Sequence, residues 1–231
     1  MCLLTGKTKR ACATERFPCY AITAMVVRKM SRKNYLFRKI RMYYQRLRLK
    51  NKDFSLLASN CNGGCICHDL NQQFRSPFVN LYLTAPDFVR LLESPREYLE
   101  SSLEFCENTG KNYPVAKLKD VTVYFMHYKN AEEASDAWQR RVDRINWDNL
   151  FVLMSDQDGC TDEIMRRFDA LPYRNKVVFT HVPRPEISSA VYIPGFEDKP
   201  CVGNCDGFVD RRSGKKYFDA FDYVKWFNEG K

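Results

Sequence analysis

From Asp53 onward, short β-prone apolar runs alternate with stretches of helical periodicity, and this alternation constrains the fold more than any other feature. Residues 54–59, 78–83, 121–126, 150–154, 176–180 and 190–193 read as strands. Between and after them, residues 65–74, 86–93, 95–107, 132–145, a segment from Thr161 to about Leu171, and residues 219–228 read as helices. Pro86 and Pro95 fall in first helical turns, where a missing N–H costs nothing. Strands separated by helices cannot pair as tight hairpins. The expected architecture is therefore α/β, with a mostly parallel sheet covered by helices, and residues 53–231 forming a single α/β domain.

The chain has 231 residues, 45% of them hydrophobic and 14% aromatic, enough for a sizeable core and incompatible with a disordered or low-complexity chain. No apolar run is long enough for a membrane span, which needs about 18 residues.

Charge is sharply segregated. Residues 1–52 hold 15 Lys/Arg and one acid, Glu15, whereas residues 53–231 hold 22 Lys/Arg and 27 Asp/Glu. The body is mildly acidic, so the net charge of +9 does not describe a basic nucleic-acid-binding globule, and nucleic acid is not an expected partner. The 10 cysteines lie in a chain too long to need disulfide stapling, and residues 1–30 lack a secretory cleavage pattern. Both point to a reducing, cytoplasmic setting. Residues 1–30 show no period and are expected to be an extension outside the fold.

Residues 31–52 differ from the rest. Leu36, Ile40, Tyr43, Tyr44 and Leu47 share one face of a helix, and basic residues cover most of the remainder. Two readings stand for this basic amphipathic helix. It can lie on an anionic membrane surface, peripheral to the inner membrane, or dock on the domain with its charged face in solvent.

In parallel α/β folds, ligands bind beyond the carboxyl ends of the strands. Three loops then become candidates. The first, Ser59-Asn60-Cys61-Asn62-Gly63-Gly64, leads from a strand into a helix. Gly63 and Gly64 permit close backbone approach to a ligand, and helix-start N–H groups attract a phosphate or oxyanion. Cys61 is a candidate nucleophile there, with Asn60 as oxyanion donor; the alternative is a small buried thiol in a turn. Cys61, Cys65, Cys67 and His68, with Cys201 and Cys205, can also be read as zinc ligands, but their spacing is unlike common structural sites, and no metal is expected.

The second loop carries His127, a candidate general base after the 121–126 strand, with a core histidine as its alternative. The helix that follows places Arg140 and Arg144 four residues apart, suited to donor phosphates or to surface ion pairs. The third loop, residues 155–161, offers Asp156 to orient His127 or a sugar hydroxyl, beside an ordinary helix cap at Thr161.

Several of these motifs, in order, resemble a bacterial family labelled exopolysaccharide biosynthesis proteins. They are residues 59–64, Ser76-Pro77, Tyr113-Pro114-Val115, Phe125-Met126-His127-Tyr128, Trp138-Gln139-Arg140-Arg141, Arg144-Ile145-Asn146, Leu171-Pro172-Tyr173 and residues 221–228. The resemblance spans residues 31–231 and implies a role near capsule and polysaccharide assembly, without an established mechanism. The Asn60-Cys61 loop is also similar to a Gly-Asn-Cys-Gln turn near the acyl-donor site of a polysaccharide acetyltransferase family; Ser59 and Asn62 replace that Gly and Gln. The expectation is a transferase, acyl or glycosyl, acting on an activated or lipid-linked saccharide. The cofactor is unspecified. The competing expectation is a non-catalytic saccharide-binding or assembly partner.

Overall fold

A computed structural model describes residues 32–210 and 213–230. The expected N-terminal extension, residues 1–30, lies outside the described residues.

Four strands form the parallel sheet: β1 (Ser55–Ala58), β5 (Leu150–Ser155), β6 (Lys176–Thr180) and β7 (Ala190–Tyr192), in the order β1-β5-β6-β7. A smaller antiparallel sheet holds β2 (Glu104–Phe105), β3 (Val115–Leu118) and β4 (Val121–Tyr124). Among the described residues the helices are α1 (Arg32–Arg48), α2 (Asn62–Asp69), α3 (Ala85–Glu93), α4 (Pro95–Leu99), α5 (Ala131–Val142), α6 (Asp162–Ala170) and α7 (Tyr223–Glu229), with a 3-10 turn at Tyr217–Ala220.

Both faces of the parallel sheet are buried, which is why its strands read as apolar runs. Leu57, Val152, Met154 and Val178 face a cluster with Phe88, Leu91, Trp138 and Phe168 from α3, α5 and α6. Leu56, Ala58, Phe151, Leu153, Val177 and Phe179 face a second cluster with Ile66, Leu70, Phe218, Tyr223, Trp226 and Phe227. The side-chain alternation of each strand thus divides one sheet between two cores.

The expected strand at residues 121–126 exists but belongs to the antiparallel sheet. A two-residue turn, Lys119-Asp120, with Lys119 at φ 56°, folds β4 back on β3. The expected strand at residues 78–83 reduces to one bridge, Tyr82 to Tyr124, because Asn80 at φ 64° breaks the extended backbone. The helix expected over residues 95–107 stops at Leu99, and Phe105 instead pairs with Ala116.

α1 reverses the expected docking. Among its described side chains Arg38 and Gln45 are buried, while Leu36, Ile40, Tyr43, Tyr44 and Leu47 are exposed. Arg38 donates to Asp69 and, at 2.5 Å, to Asp219; Arg46 donates to the Asp69 carbonyl at 2.8 Å. Lys216 joins this network through Asp206 at 2.5 Å and Asp69 at 3.3 Å. Burial opposes ionisation of Asp69, but the His68 hydrogen bond and the Lys216 and Arg38 charges prevail and bring the carboxyl down to about 2. Gly214, at φ 64°, brings its backbone against Arg38, where a Cβ would come within 2.7 Å of the helix N atom. A charged face turned to solvent is thus not how this helix docks.

Candidate functional site

The carboxyl ends of β1, β5 and β6 lie side by side, because these strands are parallel neighbours. They carry Asn60-Cys61-Asn62, Ser155-Asp156-Gln157 and His181 respectively.

Asp156 is the hub of this rim. One carboxylate oxygen accepts from the Val202 N–H at 2.6 Å. The other accepts from the His181 N–H at 2.9 Å and meets His181 Nδ1 at 2.5 Å. A carboxylate only accepts, so Nδ1 carries a hydrogen, and in the neutral ring Nε2 is left with the lone pair. The Asp156 side chain is 4% exposed and the imidazole 17%, so a buried carboxylate orients a partly accessible base.

The histidine that Asp156 holds is therefore His181 and not His127. His127 follows β4 in the other sheet, where its N–H donates to the Asn80 carbonyl and burial lowers its pKa. The signal for His181 was present in the sequence. It immediately follows the residues 176–180 strand, the same kind of position that His127 holds after the 121–126 strand.

Asn60 fastens the loops to one another. Its Nδ2 donates to Ser155 Oγ at 3.2 Å and Gln157 Oε1 at 3.0 Å, and its Oδ1 accepts from the Asn62 N–H. Both amide hydrogens are thus spoken for, which argues against Asn60 as an oxyanion donor. Gln157 continues the chain by donating to the Val202 and Gly203 carbonyls. Cys61 caps the start of α2, half-buried, its thiol 3.8 Å from the Leu81 carbonyl. Gly63 and Gly64 lie inside α2. A Cβ on Gly63 would sit 2.5 Å from that of Ala58, so this glycine lets the helix press onto β1.

Two cysteines near Asp156 are held as thiols. Burial, then the Asp156 and Asp162 charges, pushes Cys160 up to about 12. Cys205 is likewise pushed well above the ordinary thiol range, by burial and the charges of Asp156 and Asp206. Neither is suited to act as a thiolate nucleophile.

The two arginines lie away from this rim. α5 ends at Val142, so Arg144 sits in the following turn and shares no helical face with Arg140, which is exposed. Two residues on, the Asn146 N–H bonds Ser55 Oγ at the amino end of β1, opposite Cys61. As donor-phosphate ligands for the rim, Arg140 and Arg144 are not assembled with it.

Residues 32–228 match the sequence profile of a family described as a domain of unknown function, DUF1919. The chain belongs to the DUF1919 family. An uncharacterized protein of Haemophilus influenzae is 49% identical over 181 residues, which cover 78% of this chain and 87% of that protein. This DUF1919 chain has no helix, among its described residues, long and apolar enough to cross a membrane.

Proposed function

We propose that this DUF1919 protein is a transferase of exopolysaccharide or capsule assembly, moving an acyl or sugar group onto a saccharide hydroxyl with His181 as general base. The observation that carries this reading is the Asp156–His181 pair at the carboxyl rim of the parallel sheet. Asp156 fixes the imidazole by both its ring nitrogen and its backbone, so Nε2 is aimed without further reorganisation. Nε2 takes the proton of an acceptor hydroxyl, the oxygen attacks the activated carbon of the donor, and the proton passes to the leaving group. Saccharides supply such hydroxyls, and the resemblance of residues 31–231 to exopolysaccharide biosynthesis proteins supports that acceptor class.

The test incubates the full chain with acyl-CoA and nucleotide-sugar donors and saccharide acceptors. Turnover that His181→Gln abolishes supports the reading. Turnover equal in wild type and His181→Gln, or none with either donor class, rejects it.

A further inference from the structure

The outward face of α1 is the least expected surface of the molecule. A helix packed on a domain ordinarily turns its apolar residues inward. α1 turns them out: Leu36, Ile40, Tyr43, Tyr44 and Leu47 are between 43% and 63% exposed, and Tyr35 and Phe37 add to the patch. Its orientation is held from the other side by polar groups, with Arg38 bridging Asp69 and Asp219, Arg41 within 3.3 Å of Asp219, and Arg48 bonded to Asp222 at 2.6 Å. Those long-range pairs prevent the helix from rolling its stripe into the core.

We infer that this face of α1 is a membrane-docking surface that seats the protein on anionic lipid. The charge around the stripe chooses the occupant. Residues 32–52 contain no acid. Lys39 on the helix and Lys50, two residues past its end, are both exposed, and long lysine side chains can reach lipid phosphates while apolar side chains enter the interface. A second copy packed here would set lysines beside lysines. The chain before Arg32 carries six Lys/Arg and one acid, so its charge is of the same sign and does not complement this face. Tyr35, Tyr43 and Tyr44 suit the headgroup level, where an aromatic body and a polar tip are both accommodated.

The test uses the full chain with sedimenting vesicles. Wild type is expected to bind phosphatidylglycerol-rich vesicles, to bind phosphatidylcholine vesicles weakly, and to lose affinity as salt rises. Ile40→Glu with Leu47→Glu is expected to reduce binding at least about tenfold, since it removes apolar insertion and adds repulsion. Both side chains are exposed, so the melting temperature should not fall; Lys39→Gln with Lys50→Gln, expected to weaken only the anionic-vesicle component, serves as the second variant. Failure to bind anionic vesicles, or equal binding by wild type and the Ile40/Leu47 variant, overturns the inference. A wild-type dimer that the Ile40/Leu47 variant dissociates, without vesicle binding, assigns the face to self-association and overturns it too.

Discussion

Asp156 and His181 are joined twice, once from the imidazole Nδ1 at 2.5 Å and once from the backbone N–H at 2.9 Å, across the neighbouring strands β5 and β6. Parallel pairing makes this possible, because it brings the last residues of both strands to one rim. The imidazole is thereby fixed in tautomer and direction before any substrate arrives.

Asp156→Asn keeps the size of the side chain but introduces an amide that can also donate. The Nδ1-protonated tautomer loses its preference, and turnover should fall about 100- to 10,000-fold, the range over which a misplaced base is felt. Nitrogen-15 NMR of the histidine ring gives an independent reading: wild type should show a single Nδ1-protonated state for His181, and the variant a mixture.

Cys61→Ala should retain most of the turnover. The thiol contacts the Leu81 carbonyl, and the proposed base, His181, follows β6 instead. Steady-state rates check this, with mass spectrometry after donor addition. An acyl group trapped on Cys61, together with lost turnover in the variant, would replace direct transfer by a thioester relay.

Gly63→Ala should destabilise the fold by about 1–3 kcal/mol through overpacking, because the new methyl meets the Ala58 methyl at 2.5 Å. Combining it with Ala58→Gly removes the clash and should restore part of the loss. Denaturant titration of the three variants measures both effects.

Arg38→Ala leaves Asp69 and Asp219 buried with fewer positive partners, and should cost about 3–5 kcal/mol. Urea unfolding measures the loss, and limited proteolysis should then cut first within α1.

Asp69 gives the pH dependence a definite sign. Its folded carboxyl is held down to about 2, below the ordinary value of 3.8, so its contribution to stability is fully present above 3.8 and disappears as pH falls toward about 2. Asp69→Asn should therefore be less stable than wild type at neutral pH, with the gap closing in that acid window. Thermal melts at stepped pH give the comparison.

Much of the fold was legible along the chain, for a simple reason. β1, β5 and β6 are buried on both faces, and such strands advertise themselves as short apolar runs. Thr161 capped its helix as expected, accepting from the Ile164 N–H. The β3–β4 hairpin was hidden because its turn, Lys119-Asp120, lacks the usual Asn or Gly, and Lys119 adopts a positive φ unaided by its residue type. The glycines after Cys61 looked like a ligand cradle, yet the packing of α2 on β1 is what accounts for Gly63.

The sequence by itself determined the α/β class, the basic helix and the candidate loops beyond the strands, because periodicity, charge and strand ends are local properties. Tertiary structure alone decided which histidine Asp156 meets, that Arg140 and Arg144 stand apart from the rim, and which side of α1 faces outward. Each of those depends on partners distant in the chain: Asp156 and His181 are 25 residues apart, and Arg38 and Asp219 are separated by 181. Contacts of that range follow from the order in which strands pair and helices pack, which no local pattern encodes.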